Sequence, residues 1–286
     1  MNENKTNINW YPGHMAKTKR LISENINLID VVYELIDARM PYSSKIKDLD
    51  DILKNKKRII IMTKIDLCDL NETNKWINYY KNLGYIVLTA NLENNNSLND
   101  LIKVTNKVME EENNKRLEKG LSKRKVRALV IGIPNVGKST LINRLAGKKV
   151  VNVGNMPGVT KNINWIRIND SVELLDTPGI LWPKLEQEKV ALNLATFTAI
   201  KEEILPVERV VIYILNMLNK YYKDILKERY GIDSILEIEE TLESIGKKRG
   251  CLIKGGIVDY DKVYSVIMND IKNGIIKGIT FDRYEK

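Results

Sequence analysis

The sequence predicts an α/β fold, with a mostly parallel sheet and helices on both faces, followed by an all-helical region. Over roughly the first two thirds of the chain, short apolar runs alternate with longer amphipathic ones. One apolar run, "VRALVIGIP", enters a glycine-bearing loop that precedes a helical pattern. After about Pro183 the apolar spacing is helical. We therefore expect one domain over residues 1–182 and a helical domain over residues 183–286.

Individual elements follow from the same patterns. The β-branched run "RIIIMTKID" stops at a polar loop, as a buried strand does. The segment "NETNKWINYYKNLG" has helical periodicity and ends in a glycine suited to the position after a helix. Because such sheets bind ligands beyond the carboxyl ends of their strands, strand-ending residues are the first candidates for a site. The predicted strands lie in 28–37, 58–66, 85–91, 126–134 and 172–176, and the predicted helices include 71–84 and 97–120, the latter trailing into a charged linker.

The composition limits the classes of protein. The chain has 286 residues, of which 43% are hydrophobic and 29% charged, so it can bury a core. Its net charge of +9 favours a polyanionic partner, with nucleic acid first and an anionic membrane second, although a solvated lysine-rich surface explains the charge equally well. Two distant cysteines indicate a reducing compartment. Without an apolar leader or a run of membrane-spanning length, we expect a cytoplasmic protein.

The segment "GIPNVGKST" (132–140) carries the most specific pattern, G-x-x-x-x-G-K-[ST], between a strand and a helix. Gly132 and Gly137 let the backbone curl so that its N–H groups surround phosphates, and the helix N-terminus adds its dipole. Lys138 is expected along the β- and γ-phosphates as a catalytic cation, and Ser139 as a Mg²⁺ ligand. The other nucleotide contacts expected from this loop are Asn135, Val136 and Thr140.

A second segment, "VELLDTPG" (172–179), reads as a strand that ends at Asp176. Asp176 is expected to hold a magnesium ion through its water shell, and Gly179 to offer its N–H to the γ-phosphate. Between the two motifs, "NMPGVTK" places Thr160 where a switch threonine would bind Mg²⁺. The three segments together predict a nucleoside triphosphatase with a magnesium cofactor.

Guanine recognition is predicted by "TKID" (63–66) at the end of a strand. Asp66 supplies a carboxylate for the guanine N1–H and N2–H₂ groups, and Lys64 packs along the base. Thr63 stands where asparagine is usual, and we expect this change to loosen the loop while leaving Asp66 in place.

The segment "LTAN" (88–91) resembles the loop that flanks the other side of the base. There the backbone N–H of Ala90 or Asn91 can reach guanine O6, and the neighbouring Leu92 completes the set. Like "TKID", it ends a predicted strand, which places both segments at the same edge of the sheet.

The order of these motifs is unusual, because the base-reading segments precede the phosphate loop. The same sheet can be entered at a different point, and such permutation is sterically tolerated because domain ends often lie close together. As a result, the γ-phosphate-sensing segment "DTPGILWP" runs directly into the C-terminal region.

At this point the chain resembles the circularly permuted GTPases of the YlqF/YawG type over essentially its whole length. The resemblance implies a P-loop GTPase that binds the maturing large ribosomal subunit late in assembly, hydrolyses GTP to GDP there and leaves, with a helical RNA-binding C-terminal domain. We expect a monomer without membrane attachment. The segments that carry the resemblance include "WYPGHMAK" (10–17), "ELIDAR" (34–39), "TKID", "GIPNVGKSTLINRLAG" (132–147), "PGVT", "LLDTPGILWPK" (174–184), "KERYGID" (227–233) and "GKKRGCLIKGG" (246–256).

Water activation needs a separate source, because apolar Ile180 and Leu181 follow "DTPG" where many GTPases carry a glutamine. The candidates are K⁺, a partner, or His14, the single histidine of the chain. His14 in "PGHMAK" is the predicted catalytic group, and the alternative is an rRNA contact or a structural residue. Asn135 is a candidate K⁺ ligand, with an ordinary turn-capping asparagine as the alternative.

Four basic segments, together with the net charge, favour RNA. Each alone is more typical of a solvated face than of an RNA contact. The leading hypothesis is therefore a GTPase whose cycle times ribosome maturation. An rRNA-binding scaffold in which GTP only tunes affinity is the second, and a GTPase of tRNA modification or of a membrane is the third. The basic segments are 17–20, 54–58, 122–127 and 246–250.

Overall fold

The computed structural model describes residues 5–8, 13–94, 96–151, 164–169, 171–180, 185–200 and 204–285. Five of the described strands lie in the predicted apolar runs, and the short strands at 5–8, 164–167 and 185–187 were not predicted. In chain order the strands are β1 (Lys5–Ile8), β2 (Val31–Asp37), β3 (Lys57–Thr63), β4 (Ile86–Ala90), β5 (Val126–Gly132), β6 (Asn164–Arg167), β7 (Val172–Asp176) and β8 (Leu185–Gln187).

Among the described residues, β2 to β7 form one six-stranded sheet in the order β4-β3-β2-β5-β7-β6. Neighbouring strands are parallel, except that β6 runs antiparallel to β7. The prediction of a mostly parallel sheet is therefore confirmed. β1 and β8 form a separate antiparallel pair.

The helices lie between the strands and, after β8, follow one another directly, which confirms the predicted helical C-terminal region. Across the described residues, every helix is too short or too polar to cross a bilayer. The helices are α1 (Gly13–Asn25), α2 (Asp50–Leu53), α3 (Leu70–Asn82), α4 (Asn96–Val108), α5 (Glu110–Glu118), α6 (Lys138–Ala146), α7 (Glu188–Thr196), α8 (Val207–Tyr221), α9 (Lys223–Tyr230), α10 (Ile238–Arg249) and α11 (Tyr260–Lys272).

The central strands are buried on both faces, as their continuous apolar runs require. Because successive side chains of a strand point to opposite faces, Ile36 and Ile60 pack with Trp76 of α3. Leu35 and Ile59 belong to the larger core on the other face. This double burial fixes the register of the strands and hence the positions of the residues that end them.

The helical segment predicted at 97–120 is interrupted in the structure. α4 ends at Val108 and α5 begins at Glu110. Lys57 Nζ donates to the Val108 carbonyl at 2.7 Å, and Met109 is buried in the core. Both contacts lie at the break between the two helices, although backbone hydrogen bonds of helical spacing continue through Met109.

Residues 278–284 return to the α/β body. The backbone N–H of Phe281 donates to the carbonyl of Arg39 at 2.8 Å. The buried carboxylate of Asp282 accepts from the backbone and hydroxyl of Ser43 and from Asn193 Nδ2 of α7. The domain boundary predicted near residue 182 stays a prediction, because residues 181–184 lie outside the described part of the chain.

Candidate nucleotide-binding site

The loop between β5 and α6 has the closed form that its glycines permit. A Cβ atom on Gly132 would lie 2.8 Å from Val136 Cγ1, so only glycine allows the loop to fold back on the strand. Gly137 has φ +106°, and a Cβ there would lie 2.8 Å from Leu92 Cδ1. The predicted contact residue Leu92 therefore packs directly against the loop. The N-terminal N–H groups of α6 remain available for phosphate oxygens.

Lys138 is the first residue of α6 and is buried. Its Nζ donates to the carbonyls of Gly132 and Ile133 at 3.0 and 2.9 Å. Burial lowers the pKa of Lys138, and the charge of Asp176 opposes that shift. A phosphate group would supply the negative charge that this buried ammonium lacks.

Asp176 ends β7, as predicted, and its carboxylate is buried. Neither carboxylate oxygen has a hydrogen-bond partner among the described residues. Burial raises the pKa of Asp176, because the charged form is poorly solvated. A buried carboxylate without donors is suited to a cation or its bound water.

The Asp176 carboxylate and the Ser139 hydroxyl are oxygen ligands of the kind that a magnesium site needs. Asp176 would hold the ion through water, and the hydroxyl of Ser139, one residue after Lys138, would bind it directly. Magnesium, when bound, neutralises phosphate charge. Thr160, the third predicted ligand, lies outside the described residues.

The "DTPG" segment packs on the phosphate loop. A Cβ on Gly179 would lie 2.8 Å from the backbone nitrogen of Pro134, so the two segments approach as closely as glycine allows. The Ile180 N–H donates to the Gly132 carbonyl at 3.2 Å. Ile180 itself is fully buried, and its side chain has no group that could orient water.

On the base side, the structure corrects one expectation. Thr63 was expected to loosen its loop, but its hydroxyl donates to the Val136 carbonyl at 2.8 Å. This hydrogen bond ties the base-reading strand to the phosphate loop. Thr63 ends β3 opposite Ala90, which ends β4, so the two base-reading segments meet at one edge as predicted.

Lys64 is held by a buried carboxylate that sequence reasoning did not assign to the site. Its Nζ donates to Asp37 Oδ2 at 3.0 Å. Arg39 donates from Nε and Nη2 to the two oxygens of the same carboxylate at 3.0 and 2.9 Å. Although burial disfavours the charged form, the Arg39 and Lys64 cations hold the pKa of Asp37 well below its usual range. One signal was present in the sequence, because Asp37 ends the apolar run 28–37, whereas its place beside Thr63 follows only from the strand register.

A cavity of about 450 Å³ lies between the base-reading segments and the phosphate loop. Asp66 is exposed at its wall, free to meet a ligand. The lining residues that were not predicted are Arg39, Leu67, Glu93, Arg144, Phe197, Thr198 and Lys272. The predicted residues that line the cavity are Lys64, Asp66, Asn91, Leu92, Asn135, Val136, Gly137 and Thr140.

Phe197 and Thr198 come from the turn after α7, in the helical region. Arg39 lies over the Phe197 ring, 4.3 Å from its centroid. Asn135 Nδ2 donates to the Thr198 carbonyl at 2.6 Å. Local sequence patterns could not reveal these contacts, because they join segments more than 60 residues apart. The backbone of His14 lies in α1, but its side chain is outside the described part of the structure.

Comparisons with known proteins agree with this geometry. The family model described as "50S ribosome-binding GTPase" matches residues 127–253. The chain is 45% identical to a ribosome biogenesis GTPase A of Priestia megaterium, over 96% of each chain. It is 43% identical to that of Bacillus cereus, over 98% of this chain and 95% of the relative. The crystal structure of GNP-bound YlqF from T. maritima superposes with a TM-score of 0.65 at 28% identity, over 93% of this chain and 98% of that one.

The identity to these relatives over nearly the full chain agrees with a phosphate loop that lies beside two base-reading segments. The protein hydrolyses GTP, and the chain belongs to the ribosome biogenesis GTPase A family.

Proposed function

We propose that this GTPase times a late step in the maturation of the large ribosomal subunit and that the maturing particle stimulates hydrolysis. The name shared by its relatives supports a role in ribosome biogenesis. The observation that carries the proposal is the path of the chain. The segment from Asp176 to Ile180 packs on the phosphate loop and leads through β8 into the helical region. A particle bound to the helical region would therefore act on the segment that senses the γ-phosphate.

The exposed cations of the helical region support an rRNA contact there. Lys248 and Arg249 lie at the exposed C-terminal end of α10. Lys254 is exposed in the following turn, beside Gly255 and Gly256, which both have positive φ. By contrast, three cations of the 54–58 segment are used inside the fold, on backbone carbonyls or buried carboxylates. Phosphate contacts of such exposed cations are the main source of affinity for structured RNA.

We further propose that His14 orients the attacking water once the particle is engaged, because Ile180 cannot. Thr160 would serve as the switch ligand of Mg²⁺, and Asn135 as a ligand of K⁺ between the phosphates. The protein would act in the cytoplasm as a monomer.

The test of the main proposal is steady-state GTP hydrolysis with and without purified immature large subunits. Strong stimulation is expected. In His14→Ala, the stimulated rate should fall by roughly ten- to ten-thousandfold, the range of a lost water-orienting group, while GTP affinity and particle binding stay near wild type. Unchanged slow turnover on adding particles would instead favour a scaffold in which GTP only tunes affinity.

Two further measurements address the partner and the cation. Lys248→Glu combined with Arg249→Glu should weaken co-sedimentation with immature subunits, whereas Lys119→Glu, an exposed charge on the other part of the chain, should not. Replacing K⁺ by Na⁺ at constant ionic strength should slow hydrolysis in the wild type but not in Asn135→Ala. Equal rates of the wild type in both salts would exclude K⁺ from the reaction.

A further inference from the structure

The turn after α7 ends the helix with a residue in the left-handed conformation. The Thr198 N–H donates to the Ala195 carbonyl at 3.0 Å, and the Ala199 N–H donates to the Leu194 carbonyl at 2.8 Å. This pair of hydrogen bonds defines a helix-ending motif whose left-handed position is usually glycine. Here the position is occupied by Thr198, with φ +59°. A β-branched residue is strained in that conformation.

Strain of this kind points to a use of the side chain that glycine could not serve. Thr198 lines the nucleotide cavity. Asn135 Nδ2 lies 2.6 Å from the Thr198 carbonyl and 3.4 Å from its hydroxyl. Asn135 is also left-handed, with φ +59°. A strained threonine thus meets a left-handed asparagine, which tolerates that conformation, where the helical region contacts the phosphate loop.

We propose that Thr198 is a positioning residue of the GTPase site, which acts through Asn135. A carboxamide is planar, so holding its nitrogen on Thr198 fixes the direction of its oxygen. The phosphate loop then has its Asn135 side chain set by a residue of the helical region. A partner that moves α7 would change nucleotide affinity through this contact, and nucleotide would change partner affinity by the same factor.

Thr198→Gly provides the first test, because it removes both the hydroxyl and the strain. Glycine suits the helix end, so the free energy of unfolding should stay unchanged or rise. The affinity for a fluorescent GTP analogue should nevertheless fall about three- to tenfold, the size of one lost hydrogen bond, because the hydroxyl contact with Asn135 Nδ2 is removed while the bond to the backbone carbonyl remains. Thr198→Ser keeps the hydroxyl and should bind like the wild type. Leu236→Ala, which changes an exposed residue of the helical region, serves as the control.

A double-mutant cycle then separates positioning from a general structural role. In the Asn135→Ala background, Thr198→Gly should cause no further loss of affinity, because the residue through which it acts is gone. Wild-type affinity of Thr198→Gly, an equal loss in Thr198→Ser, or the same loss in both backgrounds would overturn the proposal. So would a fall in stability that parallels the fall in affinity. The cycle needs only nucleotide binding, so its outcome is independent of the ribosomal role.

Discussion

The base side and the phosphate side of the candidate nucleotide site differ in how far their polar groups are satisfied by the protein itself. On the base side, the Asp37 carboxylate accepts hydrogen bonds from both Arg39 and Lys64. On the phosphate side, the Asp176 carboxylate has no partner among the described residues, and Lys138 donates to carbonyls of its own loop. The base side is therefore formed in advance, whereas the phosphate side is completed by its ligand.

This difference separates recognition from switching. A site formed in advance loses little entropy on binding and so contributes affinity and selectivity for the base in every nucleotide state. Buried groups that lack partners are sensitive to the charge of what binds beside them. Changes in the phosphates therefore alter the half of the site that leads into the helical region.

The largest effect is expected from Lys138→Ala, which removes the cation of the phosphate side. Turnover should fall by about 10²- to 10³-fold, the usual loss for one electrostatic contact to a transition state. Steady-state phosphate release measures this effect. Lys148→Ala, at an exposed lysine just after α6, should retain the wild-type rate. Near-normal hydrolysis by Lys138→Ala would contradict the assignment of the loop.

Asp66→Asn tests the base side, with an expected loss of about a hundredfold in GTP affinity, because the amide offers a donor where guanine also has donors. Affinity for XTP should rise. Competition among GTP, XTP and ATP measures both changes, and Asp51→Asn, an exposed carboxylate elsewhere, is the control. An undiminished preference for GTP would show that another group reads the base.

Asp37→Asn tests whether the base side depends on the buried ion pairs of Asp37 with Arg39 and Lys64. The amide cannot balance Arg39 and Lys64, so the free energy of unfolding should fall by about 3 kcal/mol. GTP affinity should fall about tenfold as the loop loses its fixed form. Denaturant titration and nucleotide titration provide the two values. Asp100→Asn, at an exposed ion pair of α4, should change neither the free energy of unfolding nor the GTP affinity. If Asp37→Asn had an equally small effect, the base side would not be formed before the nucleotide binds.

Phe197→Leu should have the smallest effect, about threefold in GTP affinity, because leucine keeps the site apolar and removes the aromatic face beneath Arg39 and the edge contact with Phe281. Nucleotide titration at several salt concentrations measures it. Tyr260→Leu, at an exposed ring of α11, is the matched control. Equal affinities of Phe197→Leu and the wild type would mean that the helical region does not support the base side.

Local signals explain what the sequence could predict. The pattern around Lys138 and the strands that end at Thr63, Ala90 and Asp176 can be identified because backbone geometry, glycine spacing and apolar runs act over a few residues. The pairing of Asp37 with Lys64 required the register of two parallel strands, which short patterns do not contain.

The contacts of the helical region with the cavity were beyond prediction for a different reason. The turn at Phe197 and Thr198 reaches the phosphate loop through long-range contacts, such as the hydrogen bonds of Asn193 with Ser43 and Asp282. Its one local sign, a threonine where a helix-ending glycine is usual, becomes visible only when φ is known. The break between α4 and α5 at Met109 likewise lies beside a contact with Lys57, which is distant in sequence.

The hydrogen bonds between Ser43 and Asp282 join positions 239 residues apart. At about 5–20 residues per second, a translating ribosome would need roughly 10–50 s to make the intervening chain. Throughout that time the loop that carries Arg39 and Ser43 lacks its contacts with Phe281 and Asp282. The strands and the Asp37 cluster of the guanine-reading half are thus made early, but this loop is completed last, so the chain should hold GTP firmly only once residues 281 and 282 have packed on it after release.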